Sequence, residues 1–208
     1  MPSSRSFIRR ISLAGAAGAG ALILLTACGG EAAQPGHDMA AMHGASPTGS
    51  ASSQPSQSFN DADVMFAQMM IPHHQQAVEM AELAETRASD PEIKEIAAKI
   101  KAEQDPEIQK MKGLLQAWGQ PEQPHEGMGH GMPGMVSAEG MEVLKNAKGT
   151  AFDKLFAEHM IAHHEGAIEM ARIEQAQGAD NEAKELAKKI ETSQEAEVGQ
   201  LRKILNRL

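Results

Sequence analysis

Two adjacent histidine pairs, His73-His74 and His163-His164, are each set among methionines. Neutral imidazole is a metal ligand, and a thioether is a soft ligand for which no proton competes near neutral pH. The chain has nine histidines and 14 methionines but one cysteine, Cys28, which excludes a disulfide framework and a zinc-thiolate site. Met69, Met70 and Met80 flank the first pair, Met160 and Met170 flank the second, and His159 stands four residues before His163. At that spacing on a helix two imidazoles can share one ion. Zinc seldom takes methionine, and magnesium or calcium want oxygens, whereas Cu(I) accepts the soft sulfur and imidazole suits either copper state. These residue types point to copper, Cu(I) or Cu(II). His73, His163 and His159 would hold it, Met69, Met70, Met80, Met160 and Met170 would line the site, and His74 and His164 would stand at its edge.

The blander reading of the same residues is structural. Methionines on a helical stripe are ordinary core filler, and a buried histidine is commonly a hydrogen-bonded core residue. Duplication of the His-His pairs tips the balance toward a metal. A di-metal carboxylate oxidase would need Glu-x-x-His on two helices, but the residues three before His73 and His163 are Met70 and Met160. A metal-free bundle that binds a partner is the other alternative. The charge of −9 argues against nucleic acid as a partner and favours cations.

The element that must position these residues occurs twice. Residues 63–115 align with 153–205 at a constant offset of 90, without a gap and with 21 identities in 53 positions. In the first copy Phe66, Met70, His73, Ala77, Met80 and Ala84 follow the 4-3-4-3-4 spacing of a helical core stripe,. Near Ser89 the helix stops, and Asp90-Pro91-Glu92 starts another,. The second helix carries Ile93, Ile96, Ile100, Gln104, Ile108, Met111 and Leu115. Gln104 and its counterpart Gln194 therefore lie on a buried face, where an amide could fix the tautomer of a facing imidazole. In the second copy Thr150 and Asp153 suit a capping box, Gly178 a helix end and Asp180 an N-cap,. Pro72 and Pro106 should kink the first hairpin only, since Ala162 and Ala196 replace them in the second,. Two hairpins with apolar faces bury them on each other, which predicts an all-α, ferritin-like four-helix bundle made of two duplicated hairpins over residues 59–208. A short helix is expected over about 138–147.

Outside the repeats the sequence reads differently. Arg5, Arg9 and Arg10, an apolar run from Ile11 to Leu25, and Leu25-Thr26-Ala27-Cys28 form a basic head, an apolar core and a small-residue cleavage site, the pattern of an export signal over residues 1–27. The last four resemble the bacterial lipobox, which implies lipid on Cys28 and an anchor at the outer face of the cell membrane. Residues 28–58 are rich in Ala, Ser, Gly, Pro and Gln and read as a tether. The tether carries His37, Met39, Met42 and His43, and the loop over 119–136 between the copies carries His125, Met128, His130, Met132 and Met135. Both are candidate secondary metal segments. Glu79 and Glu169 also recur but fall on the solvated face. A bundle of this kind can form a homodimer, through a face that the sequence does not indicate.

Phe66 to Ala81, Phe152 to Ala171 with its Met-Ile-x-His-His, Gln104/Glu107 with Gln194/Glu197, and Gly134-Met135 leading into Ser137 together resemble the bacterial family catalogued as domain of unknown function 305. The likeness runs from about Asn60 to Leu208. It implies a ferritin-like four-helix fold outside the cytoplasm and an association with copper binding and copper tolerance. Family members often carry methionine where this chain has His159, which implies a harder ion such as Cu(II) for the second copy.

Overall fold

The computed structural model describes residues 58–123 and 132–208. These form α1 Asp61–Arg87, α2 Pro91–Ala117, α3 Ala138–Asn146, α4 Thr150–Gln177 and α5 Asn181–Arg207. Asn60 and Asp63 make a reciprocal capping box at the start of α1, which satisfies donors that a helix start leaves free. Asp90 caps α2 with Pro91 at its first position, and Asp180 caps α5. Pro72 and Pro106 end neither helix; α1 and α2 run unbroken through them.

Two hairpins, α1–α2 and α4–α5, pack with α1 against α4 and α2 against α5, giving the four-helix bundle that the duplicated stripes require. Every residue of the first copy's stripes is buried, and so are their counterparts in the second, except Leu205, which is half-buried. The apolar core is divided in two. One cluster holds Met80, Ile93, Ile96, Phe152, Phe156, Met160 and Leu201, with Met141 and Leu144 of α3. The other holds Phe66, Met70, Ile108, Met111, Met170 and Ile190. The buried residues at the middle of each helix are polar and belong to neither cluster: His73 and His74, Gln104 and Glu107, His163 and His164, Gln194 and Glu197.

The hairpins are stapled by a crossed pair of aspartates. Asp63 of α1 accepts from the backbone N–H groups of Ala179 at 3.1 and 3.0 Å and of Asp180 at 2.9 Å, at the α4–α5 turn. Asp153 of α4 accepts from the N–H groups of Ser89 and Asp90, both at 3.1 Å, and from the Ser89 hydroxyl, at the α1–α2 turn. Burial pushes the Asp63 carboxyl up, but the N–H groups of Asn60, Ala179 and Asp180 and a bond with Glu174 leave it below the usual range,. The capping box expected for Thr150 and Asp153 does not form. Thr150 is the first residue of α4, its N-cap is Gly149 at φ +62° without a side-chain bond, and Asp153 is engaged on the other hairpin.

Candidate metal centre

His73 of α1 and His163 of α4 meet where the two helices cross. Their ring centroids are 3.7 Å apart with the planes tilted 41°, and both residues are fully buried. The imidazoles of the two copies thus converge inside the bundle. A buried cation costs much without a partner, so both rings are held neutral. Burial pushes His73 down to about 3, helped by repulsion from His74 and His164 and opposed by its bond to Pro133. Burial first, then His73, His164 and His74, place His163 well below the ordinary value,.

The second histidine of each pair has a different task. His74 Nε2 donates to Glu107 Oε2 at 3.0 Å, and His164 Nε2 donates to Glu197 Oε2 at 2.8 Å. Each carboxylate then reaches a lysine of the opposite hairpin, Glu107 to Lys189 at 3.2 Å and Glu197 to Lys99 at 3.4 Å. These relays are reciprocal under the 90-residue offset. Burial lowers His164 against the pull of Glu197. Burial raises the Glu197 carboxyl, but His164 and Lys99 overcome it and hold it below the usual range. Glu107 and Glu197 do the orienting that was assigned to Gln104 and Gln194. Neither amide bonds an imidazole; both Gln104 side-chain atoms and Gln194 Oε1 are buried without a partner. The signal for the glutamates was in the sequence, since they recur three residues after the glutamines on the same buried face.

A strap formed by residues 133–136 lies over the histidine pair. Pro133 carbonyl oxygen accepts from His73 Nε2 at 3.0 Å, which fixes that proton and leaves the lone pair on Nδ1. Gln76 on α1 grips the strap twice, donating to Val136 O at 2.9 Å and accepting from Val136 N at 2.8 Å. On α4, Gly166 leaves room for it, because a Cβ there would overlap the Pro133 carbonyl. A Cβ on Gly134, which sits at φ +77°, would likewise overlap Ala162 O, so only glycine serves there.

The fit to a metal can be judged from the orphaned atoms. Nδ1 of His73, His74 and His164 and both ring nitrogens of His163 are buried without a hydrogen-bond partner. Buried polar atoms are rarely left so, and neutral imidazole nitrogens are the ones that ligate. Among the described residues no three His, Cys, Asp or Glu side chains gather to hold an ion. This corrects the expected triad. His159 is half-buried and faces Gly140 of α3 instead of completing a site with His73 and His163. Two imidazoles and no carboxylate suit a soft ion that tolerates few ligands and accepts thioether. Met80 and Met160 lie in the apolar cluster on one side of the histidine layer, Met70 and Met170 in the cluster on the other. Met69 is half-buried at the surface with Met65. Met132 and Met135 are half-buried in and beside the strap. Cys28, His37, Met39, Met42, His43, His125, Met128 and His130 lie outside the described residues.

Fold and site together define an all-α duplicated hairpin bundle with an imidazole layer across its core. The chain belongs to the DUF305 family (domain of unknown function), whose profile matches residues 63–205. A DUF305 protein of Streptomyces coelicolor, taken to be secreted, is similar in structure at TM-score 0.67 and 32% identity, covering 70% of this chain and 93% of its own. A DUF305 fragment from Deinococcus radiodurans gives TM-score 0.66 at 29% identity, over 72% of this chain and 98% of its own. CopM in its Cu(II)-bound form gives TM-score 0.61 at 35% identity, over 70% of this chain and 96% of its own. CopM has also been solved with Cu(I) and with silver. No curated protein matches the chain.

Proposed function

We propose that this chain binds copper outside the cytoplasm, tethered to the membrane by lipid on Cys28, and buffers or hands on the ion without catalysing a reaction. The observation that carries the reading is the pair of neutral, buried imidazoles from the two copies, with three of their four ring nitrogens unpartnered. Copper bound to CopM, a similar fold at 35% identity, supports the choice of metal. The export and lipidation signals in the sequence support the location, as does the likeness to a Streptomyces protein taken to be secreted. No helix among the described residues is long and apolar enough to cross a membrane.

The test is an anaerobic Cu(I) titration of the full chain against a strong competing chelator, so that only the tightest site is read. Replacing His73 and His163 together by Ala should weaken that site at least a hundredfold. Unchanged affinity would remove the assignment.

A further inference from the structure

A cavity of about 340 Å³ opens between the first turns of α1 and the last turns of α4, lined by Met65, Met69, Met170, Ile173 and Glu174 among others. Three of its side chains are thioethers drawn from both copies. Met65 is 43% exposed, so one sulfur-bearing side chain meets the solvent while Met170 is buried at the far wall. Glu174 is 1% exposed, and its carboxyl lies against that of Asp63. Burial, then the bond with Asp63, pushes this carboxyl up to about 8, so it is protonated and uncharged near neutral pH. Asp61 at the rim pairs with no Lys or Arg among the described residues. Pro133 forms part of the wall, and its carbonyl is the one bonded to His73. One residue of the strap therefore separates the cavity from the imidazole pair.

We propose that Met65, Met69 and Met170 form a second, outer site for a soft monovalent cation, Cu(I) or Ag(I). Thioether keeps its lone pairs at any physiological pH and prefers soft ions, so such a site loads where imidazole or carboxylate would be protonated. Apolar walls exclude water, the competing ligand, and Asp61 at the rim favours a cation over an anion,. Its place at the strap makes it an antechamber to the histidine pair. That role rests on the copper reading above; the site itself does not.

The experiment labels the methionine ε-methyl groups of the full chain with ¹³C and titrates silver ion alone in chloride-free buffer. The methyl signals of Met65, Met69 and Met170 should shift together and saturate at one common silver concentration. In Met69→Leu, a swap that nearly conserves volume and keeps the fold, silver should bind Met65 and Met170 at least tenfold more weakly. Met111→Leu, inside the core, should leave the titration unchanged. Signals that stay fixed, or that respond identically in Met69→Leu, overturn the proposal. In the His73→Ala, His163→Ala chain the methyl shifts should persist. Their loss there would show that these methionines only wall the histidine site, which sinks the separate outer site and leaves copper binding at the histidines intact.

Discussion

The two hairpins descend from one pattern, yet position 76 and its counterpart 166 have gone opposite ways. Gln76 in the first copy holds the strap by two hydrogen bonds, while Gly166 in the second has no side chain and admits the strap's Pro133 carbonyl against the helix. Where both copies do the same work, they keep the same residues: His74 with Glu107 and Lys189, His164 with Glu197 and Lys99. The linker between the copies exists only once, so whatever it touches must break the symmetry. His73 bonds the strap through Nε2, and His163 bonds nothing. Duplication supplied the symmetric layer, and one loop made its two halves unequal.

The largest effect that probes this balance is acid sensitivity. His73 and His163 are neutral when folded, and below about pH 6.5 the unfolded chain takes up protons that the folded chain refuses. Stability is therefore full above pH 6.5 and is lost as pH falls toward the folded values. Between pH 7.5 and 5 the two rings together should cost about 4 kcal/mol, read by urea unfolding. His73→Gln and His163→Gln should each remove about half of that slope. Unequal shares would show that the strap bond changes the protonation of one ring.

Removing Glu107 or Glu197 comes next. Ala at either position strands a buried imidazole N–H and should destabilise by about 3 kcal/mol, the same for both within error in chemical denaturation. A clear difference would break the equivalence of the two relays. The smallest effects belong to the strap. Gly166→Ala forces the Pro133 carbonyl outward, costing about 2 kcal/mol, and Gln76→Ala loses two hydrogen bonds, costing about 1 kcal/mol. Both should speed amide hydrogen exchange at Val136; protection that stays at the wild-type level in Gly166→Ala would contradict the tight seating of the strap.

Much of this architecture was readable from residue order. The ungapped offset of 90, the Asp90-Pro91 start and the apolar stripes define two hairpins, and duplication alone brings His73 toward His163, because equivalent points on paired copies meet near the axis that relates them. The glutamate anchors were readable in principle, since Glu107 and Glu197 recur, but glutamine at the neighbouring buried position drew the assignment. The strap was not readable, because it depends on a side chain that Gly166 lacks and on a loop whose conformation no periodicity encodes. His159 was misplaced for a related reason: its i, i+4 spacing to His163 is real, but the packing of α3 decides which way it faces. Asp153 illustrates the same limit, since its spacing from Thr150 fits a local cap while its partners lie on another hairpin.

The crossed aspartates have a consequence for how such a chain can fold. Each hairpin leaves two backbone N–H groups of its own turn without an acceptor from within, and carries on its first helix the carboxylate that accepts from the other's. A lone hairpin of this design could finish its turn only by meeting a second copy of itself. Joining the two in one polypeptide replaces that encounter with an intramolecular one at high effective concentration, so the halves are expected to gain their structure together.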